Sequence, residues 1–160
     1  MVDLTLAKQH IRVTHDDEDE LIQQYINSAT VDVEGISGQL LARRIVTQQF
    51  AEFTDWLPLD WAPDPEDIIV SYFDSDGVPQ EISDARAVRN RLFPADKWPT
   101  IEANSVIEVS YIAGWESEPV DLVDAVLVLV SGKYDNREGG YGDAIKIAEA
   151  ICGHRRAIQV

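Results

Sequence analysis

The chain has 160 residues, 45% of them apolar and 26% charged, proportions that exclude disordered and fibrous classes and let one domain, or a small domain with an insertion, bury roughly 70% of its unfolded surface. Acidic side chains number 29 against 13 basic ones, a formal charge of −16. That balance argues against a stand-alone nucleic-acid binder, whose affinity comes largely from Lys and Arg displacing counterions from phosphate. The longest apolar run, Ala125 to Val130, falls far short of the roughly 18 to 20 residues of a membrane span. The opening MVDLTLAKQH has no basic region followed by an apolar stretch, so it is not a secretory signal and a cytoplasmic origin is expected. The single cysteine, Cys152, cannot close an internal disulfide, and Cys alone cannot build a zinc site.

In chain order, Thr5 is a suitable cap for a short helix through Val13, with Leu6, Ile11 and Val13 as its apolar surface. The acidic run from Asp16 opens a second helix, in which Leu21, Ile22, Tyr25, Ile26, Ala29 and Val33 recur on one face. The acids complement the positive end of the helix dipole, and Gly35 and Gly38 supply the stop. Arg43 to Phe53 reads as extended. Trp56, Pro58, Trp61, Pro63 and Pro65 then make a stiff aromatic connector, because proline removes backbone donors and biases its predecessor away from helix.

Ile68 to Phe73 and Val78 to Ile82 flank Ser75-Asp76-Gly77, a hairpin signal that requires φ > 0 in the turn. Arg86 to Phe93 is expected to continue the same sheet. Val106 to Ile112 alternates, with Ile107, Val109 and Tyr111 on one face and Glu108 and Ser110 on the other, which predicts a half-buried strand. Pro119 suits the first turn of a helix carrying Val123, Val126, Leu127, Val130 and Tyr134 at helical spacing, although its valines also allow a strand. Asp143 can cap a last helix with Ala144, Ile147, Ala148 and Ile151 as its apolar stripe. His154, Arg155 and Arg156 sit at its negative end, and residues Ala157 to Val160 form a short apolar tail.

Chemistry-bearing groups are sparse. His10, His15, Asp16, Asp17, Glu18, Asp19 and Glu20 supply metal-ligand types, but the two histidines are five positions apart, off the spacing that shares a helix face, and the acids lack the glycine and distal Glu of a calcium loop. A solvated helix start is the favoured reading. Asp74, Asp76 and Gly77 resemble the opening of a calcium loop, which a hairpin turn explains without a ligand. No G-x-S-x-G elbow occurs, and Cys152 lies in an apolar stripe where an inert thiol is usual. Gly139-Gly140-Tyr141-Gly142 lacks a phosphate-loop pattern and reads as a hinge. The four Trp and five Tyr have no basic groove beside them for stacking single strands, so core and subunit contacts explain them better.

The order of these segments resembles the phage head-tail connector family, the adaptor or head-completion proteins, in its longer form with a β insertion. LAKQHIRVTHDDEDELIQQYINSA is similar to that family's opening, a short helix that meets an acidic helix start. VSYFDSDGVPQEI and VIEVSYIAGW resemble its paired strand motifs. LVDAVLVLVSGKYDNRE after Pro119 resembles its helix closing on a Tyr-x-Asn-Arg-Glu run, here Tyr134, Asn136, Arg137 and Glu138. The glycines from Gly139 to Gly142 depart from it, since a proline-containing turn is expected there.

The resemblance implies a structural, non-catalytic protein without cofactor or metal, in a ring of about twelve copies stacked under the portal at the virion neck. The portal and a neck or tail-completion protein are the implied partners; the duplex passes through the channel without specific binding and no membrane is involved. Assembly would occur in the host cytoplasm. The fold implied by the whole reading is α+β: one connector domain over residues 1–160, with a helical body from about 5–36 and 118–156 and a small antiparallel β-sheet inserted over about 43–112. Tyr134, Asn136, Arg137 and Glu138 are the subunit-interface candidates, with an intrachain Arg137–Glu138 pair the competing reading. Arg155, Arg156, Ile158 and Val160 are the portal-contact candidates. The acid surplus either lines the bore, keeping phosphate from sticking, or lies outside and only solubilises. The rivals are a neck or tail-terminator ring protein, a metal-dependent hydrolase using His10 to Glu20, and an acidic mimic of DNA.

Overall fold

The computed structural model describes residues 2–61, 65–103 and 105–156. They form two compact units, one from residues 1–42 and 116–160 and one from the intervening Arg43–Trp115, so the predicted helical body and β insertion are both present in an α+β protein.

The helical unit contains α1 (Leu4–Ile11), α2 (Asp19–Ser37), α3 (Val120–Asp135) and α4 (Gly142–Arg156). Asp3, not Thr5, caps α1: its carboxylate accepts from the Leu6 amide at 2.7 Å. The cap must precede the first helical residue, and Thr5 already lies within the first turn. Arg12 ends α1 in the left-handed conformation at φ 60°. In α2 the predicted stripe is the core, since Ile22, Ile26, Ala29 and Val33 are all buried. Gly35 stays inside this helix, and Gly38 alone stops it, at φ 69° with its amide bonded to the Glu34 carbonyl at 2.8 Å. Below that stop, the buried Glu34 carboxylate accepts from the Leu41 amide at 3.0 Å. A loop that buries Leu40 and Leu41 is thereby tied down.

Pro119 occupies the N-cap position of α3. This helix buries Leu122, Ala125, Val126, Leu127, Leu129 and Val130, a set covering more than half of its circumference, as befits a helix packed by α1, α2 and α4. The valine-rich segment is thus helical, because tertiary burial outweighs the small helix penalty of β-branched residues. In α4, Ala148 and Cys152 are fully buried while Ile147 is 51% exposed. The stripe therefore runs through Ala148 and Cys152, one position away from the Ile147 setting that the sequence suggests. The reason is the approach of α3, where Gly132 has no side chain: a Cβ built there would lie 2.5 Å from the Ala144 Cβ.

The β unit contains two antiparallel sheets. The larger, in order β1-β7-β3-β4, joins β1 (Arg44–Phe50), β3 (Glu66–Phe73), β4 (Pro79–Ile82) and β7 (Ile107–Ala113). The smaller, in order β2-β6-β5, joins β2 (Leu57–Pro58), β5 (Arg86–Val88) and β6 (Arg91–Phe93). The expectation that Arg86 to Phe93 continues the first sheet is corrected: these residues fold on themselves, Arg86 opposite Phe93, and β6 takes Leu57 opposite Leu92. A two-residue strand such as β2 carries no periodicity by which its pairing could be foreseen.

The β3–β4 hairpin closes over residues 74–78, with Phe73 opposite Pro79 and Gly77 at φ 73°. The alternation predicted for β7 holds, for Ile107, Val109, Tyr111 and Ala113 are buried and Glu108 faces out. The Tyr111 hydroxyl is shared between the Gln48 side chain and the Asp60 carbonyl, and Gln48 in turn donates to the Asp60 carboxylate at 2.8 Å. This network anchors the connector after β1 to the central strand. Burial, helped by the Asp60 charge, pushes the Tyr111 phenol well above its usual range. It therefore remains a neutral donor.

The closeness at Gly132 yields a test. Gly132→Ala gains about 1 kcal/mol of helix propensity, yet forces its new methyl into Ala144, an overpacking cost of about 1–3 kcal/mol. Chemical denaturation is expected to show a net loss of stability, whereas the same substitution at the exposed Gly153, which has no neighbour within 4 Å, should raise it.

Candidate functional site

The acidic start of α2 and the Tyr-x-Asn-Arg-Glu run at the end of α3 meet in space. Glu18 occupies the N-cap position of α2 but makes no capping bond. Its carboxylate instead accepts from the Tyr134 hydroxyl and from Arg137 Nη2, the latter at 2.6 Å. The Arg137 guanidinium also lies over the Tyr134 ring, 4.8 Å from its centroid. Three side chains thus close a clasp between residues 116 positions apart in sequence. The Tyr134 hydrogen bond, followed by that from Arg137, holds the Glu18 carboxyl below its ordinary range, and the same bond raises the Tyr134 phenol.

The rest of the acidic run is similarly engaged. Lys8 of α1 donates to Asp16 at 2.6 Å and to Asp19 at 2.7 Å, and these bonds hold Asp16 low and Lys8 high. His15 stands 3.8 Å from Asp17 and 4.0 Å from Glu18. Among the described residues no three His, Cys, Asp or Glu side chains converge to hold a metal ion. Leu4, Asp17 to Leu21, Gln23, Gln24 and Asn27 border an open groove of about 970 Å³ at this place.

A second ionic contact lies between the same helices. Lys133, adjacent to Tyr134, is buried and reaches Asp32 of α2 at 2.9 Å, with the Tyr141 ring centroid 4.3 Å from its ammonium. Burial opposes its charge, but the Asp32 and Tyr141 partners overcome this and raise its pKa. Neighbouring residues of α3 therefore reach opposite ends of α2.

The predicted interface residues separate by role. Tyr134 and Arg137 belong to the clasp, so Arg137 pairs with Glu18 and not with Glu138. Asn136 caps α3, its amide and its side chain both donating to the Gly132 carbonyl, at 3.1 and 3.2 Å. Glu138 is exposed. Of the portal-contact candidates, Arg155 makes a bidentate pair with Asp121 in the first turn of α3, at 2.6 and 2.7 Å, which lowers the Asp121 pKa. The Arg156 side chain, Ile158 and Val160 lie outside the described residues.

In the β unit, Asp74 is a turn-former. Its carboxylate accepts from the amides of Asp76 and Val78, each at 3.0 Å, and from Gln80 at 2.8 Å. The Val78 amide above all, then Gln80, holds its pKa down. Sequence reading missed Lys8, Glu34, Gln48 and Asp60 as organising groups. The lone basic residue amid the apolar positions of α1 is the sole hint that Lys8 has a partner.

The amino-terminal half matches the family model described as phage gp6-like head-tail connector protein, over residues 1–87. The comparison with curated proteins returns no match. Among solved structures, a chain from the neck of an empty gene transfer agent (GTA) particle computed with C6 symmetry superposes with a TM-score of 0.77 at 22% identity, covering 92% of this chain and 88% of that one. A chain of the native GTA virion gives 0.74 at 23%, over 91% and 88%. One from the neck of the native particle computed with C12 symmetry gives 0.68 at 24%, over 92% and 91%. At these identities the likeness is one of fold, and it spans nearly the whole chain.

The clasp has a pH signature. A carboxyl whose folded pKa is depressed contributes stability that is full above its unfolded value and is lost as pH falls through the folded one. Glu18, with Asp16 and Asp121, should therefore weaken the helical unit on acidification below the ordinary carboxylate range, not above it. Tyr134→Phe removes the leading cause of the Glu18 shift. Carboxyl NMR titration is expected to show Glu18 moving up towards the ordinary glutamate value in that variant; an unmoved Glu18 would mean that the clasp does not form in solution.

Proposed function

Since this chain belongs to the phage gp6-like head-tail connector family and is a structural connector, we propose that its copies form a ring beneath the portal, at the neck of a tailed phage or phage-like particle, around the channel through which the duplex passes. The observation that carries the proposal is the agreement of the family match over residues 1–87 with a fold shared across 92% of the chain with a GTA neck component. The C6 and C12 symmetries of those necks support a closed ring, in which each copy offers two different faces to its neighbours.

The charge suits this role. With −16 on every copy, a ring repels phosphate wherever carboxylates face the bore, and separate copies repel one another at low salt. Assembly therefore depends on a partner that gathers the copies. Glu138, exposed just beyond the clasp, is the member of its run available to a neighbouring subunit. The tail over residues 157–160 is the portal-docking segment, because Arg155 is already held by Asp121 while Ala157, Ile158 and Val160 are apolar and an extended segment can add to an edge on the partner.

Two measurements bear on this. Mixed with portal, the protein is expected to co-sediment and to appear as rings by electron microscopy under conditions where the free chain stays small. Absence of portal association at every salt concentration would defeat the assignment, and binding to tail tube instead would favour a tail-terminator ring. Removal of residues 157–160 is expected to leave the melting temperature of the free protein unchanged and to weaken capture by portal. A truncated chain that melts early, or that binds portal undiminished, would refute the docking role.

A further inference from the structure

The positive charge of this acidic chain is distributed unevenly. Among the described residues, Lys8, Arg43, Lys133, Arg137, Lys146 and Arg155 each hold a carboxylate of the same chain. Outside such pairs among the described residues are Arg12 and Lys97, isolated from one another in sequence, and the exposed Arg86 and Arg89. Arg86 and Arg89 lie on the β5–β6 hairpin with Arg91, and no acidic residue occurs between Arg86 and Phe93.

The hairpin has two unlike faces. Residues opposite one another in an antiparallel pair share a face, and so do alternate residues of one strand. Ala87 opposite Leu92 forms the inner face, with Leu92 fully buried. Arg86, Val88 and Arg91 fall together on the other face, Val88 opposite Arg91 and 58% exposed. The Arg91 guanidinium lies 4.5 Å from the centroid of the Trp56 ring, which fixes the hairpin beside its turn. Arg89 occupies the turn at φ 57°. Since β5 is an edge of its sheet, nothing within that sheet covers its outer side. The result is a stiff cationic prong with an apolar valine at its centre.

We infer that this prong is a subunit contact: the β5–β6 hairpin of one copy seats Arg86, Val88 and Arg89 against a carboxylate surface of the next copy in the ring. The inference rests on the ring reading given above. Its basis is charge complementarity, because a chain with 29 acids and 13 bases offers carboxylates over most of its surface. A heterologous contact between two such chains gains attraction only where unpaired cations are concentrated on one of the two faces.

The test uses the full chain assembled on portal. Isotopically labelled and unlabelled copies of Arg89→Lys are mixed, assembled, and treated with a carbodiimide, which joins an amine to a carboxylate in contact with it. Mass spectrometry is expected to find the introduced amine joined to an Asp or Glu of a different copy. In parallel, Arg86→Glu with Arg89→Glu should leave the melting temperature unchanged, since both side chains are exposed, and should raise the concentration needed for half-maximal ring formation at least about tenfold, because like charges would now face each other. Wild-type-like assembly of the double variant would overturn the inference while leaving the connector reading intact. So would a cross-link that joins the prong to portal alone, or a variant whose sole defect is loss of duplex retention. Failure of the unmodified chain to form rings on portal would instead remove the ring reading, and this inference with it.

Discussion

The helical unit is built around one constraint: α3 is apolar over more than half of its circumference, and only the stripe through Asp124, Val128 and Ser131 meets water. Leu122, Ala125, Val126, Leu127, Leu129 and Val130 are buried over a wide arc, and each Leu or Val among them gains about 1.5–3 kcal/mol on burial. An amphipathic partner can cover only one side of such a helix, so α1, α2 and α4 are all required. Gly132 permits the closest of these approaches. The ionic contacts of α3 lie near its ends, where Asp121 meets Arg155 and where Lys133 and Tyr134, with Arg137 just beyond the helix, meet α2.

Those end contacts give specificity to a packing that apolar burial alone would leave free to slide. Lys133 is held towards the far end of α2 and Tyr134 towards its start, so the register of the two helices is pinned at two points. Glu18 shows how the sequence economises. As the residue before a helix it is suited to capping, yet it leaves the α2 amides to other partners and joins α3 instead. Partly exposed ion pairs of this kind contribute little energy singly. Their value lies in excluding other arrangements.

The charge economy links fold to assembly. Most of the cations of the helical unit serve carboxylates of their own chain, which uses them internally and leaves an acidic exterior. The β unit treats its positive charge differently, collecting arginines on one outward face of a small hairpin whose other face is anchored by Leu92. A short two-stranded element carries this positive patch without altering the core.

The amino-acid sequence by itself determined what depends on periodicity and local stereochemistry. The four-residue spacing of Ile22, Ile26, Ala29 and Val33 marks α2, the alternation of Ile107, Val109 and Tyr111 marks β7, the glycine after two aspartates marks the hairpin turn, and Val123, Val126, Leu127 and Val130 after Pro119 favour a helix over a strand at α3. These signals suffice for the α+β class and the resemblance to head-tail connectors. Only the tertiary structure decided the partners. Nothing in the spacing joins Glu18 to Tyr134 and Arg137, or sets Gly132 against Ala144, because a periodic pattern reports which face is buried and not what buries it. The second sheet stayed hidden for a related reason: β2 is two residues long and β5 and β6 three each, too short to repeat a pattern. Whether Arg86 and Arg91 point the same way follows from their cross-strand register, and register is a property of the folded pair, not of either strand alone.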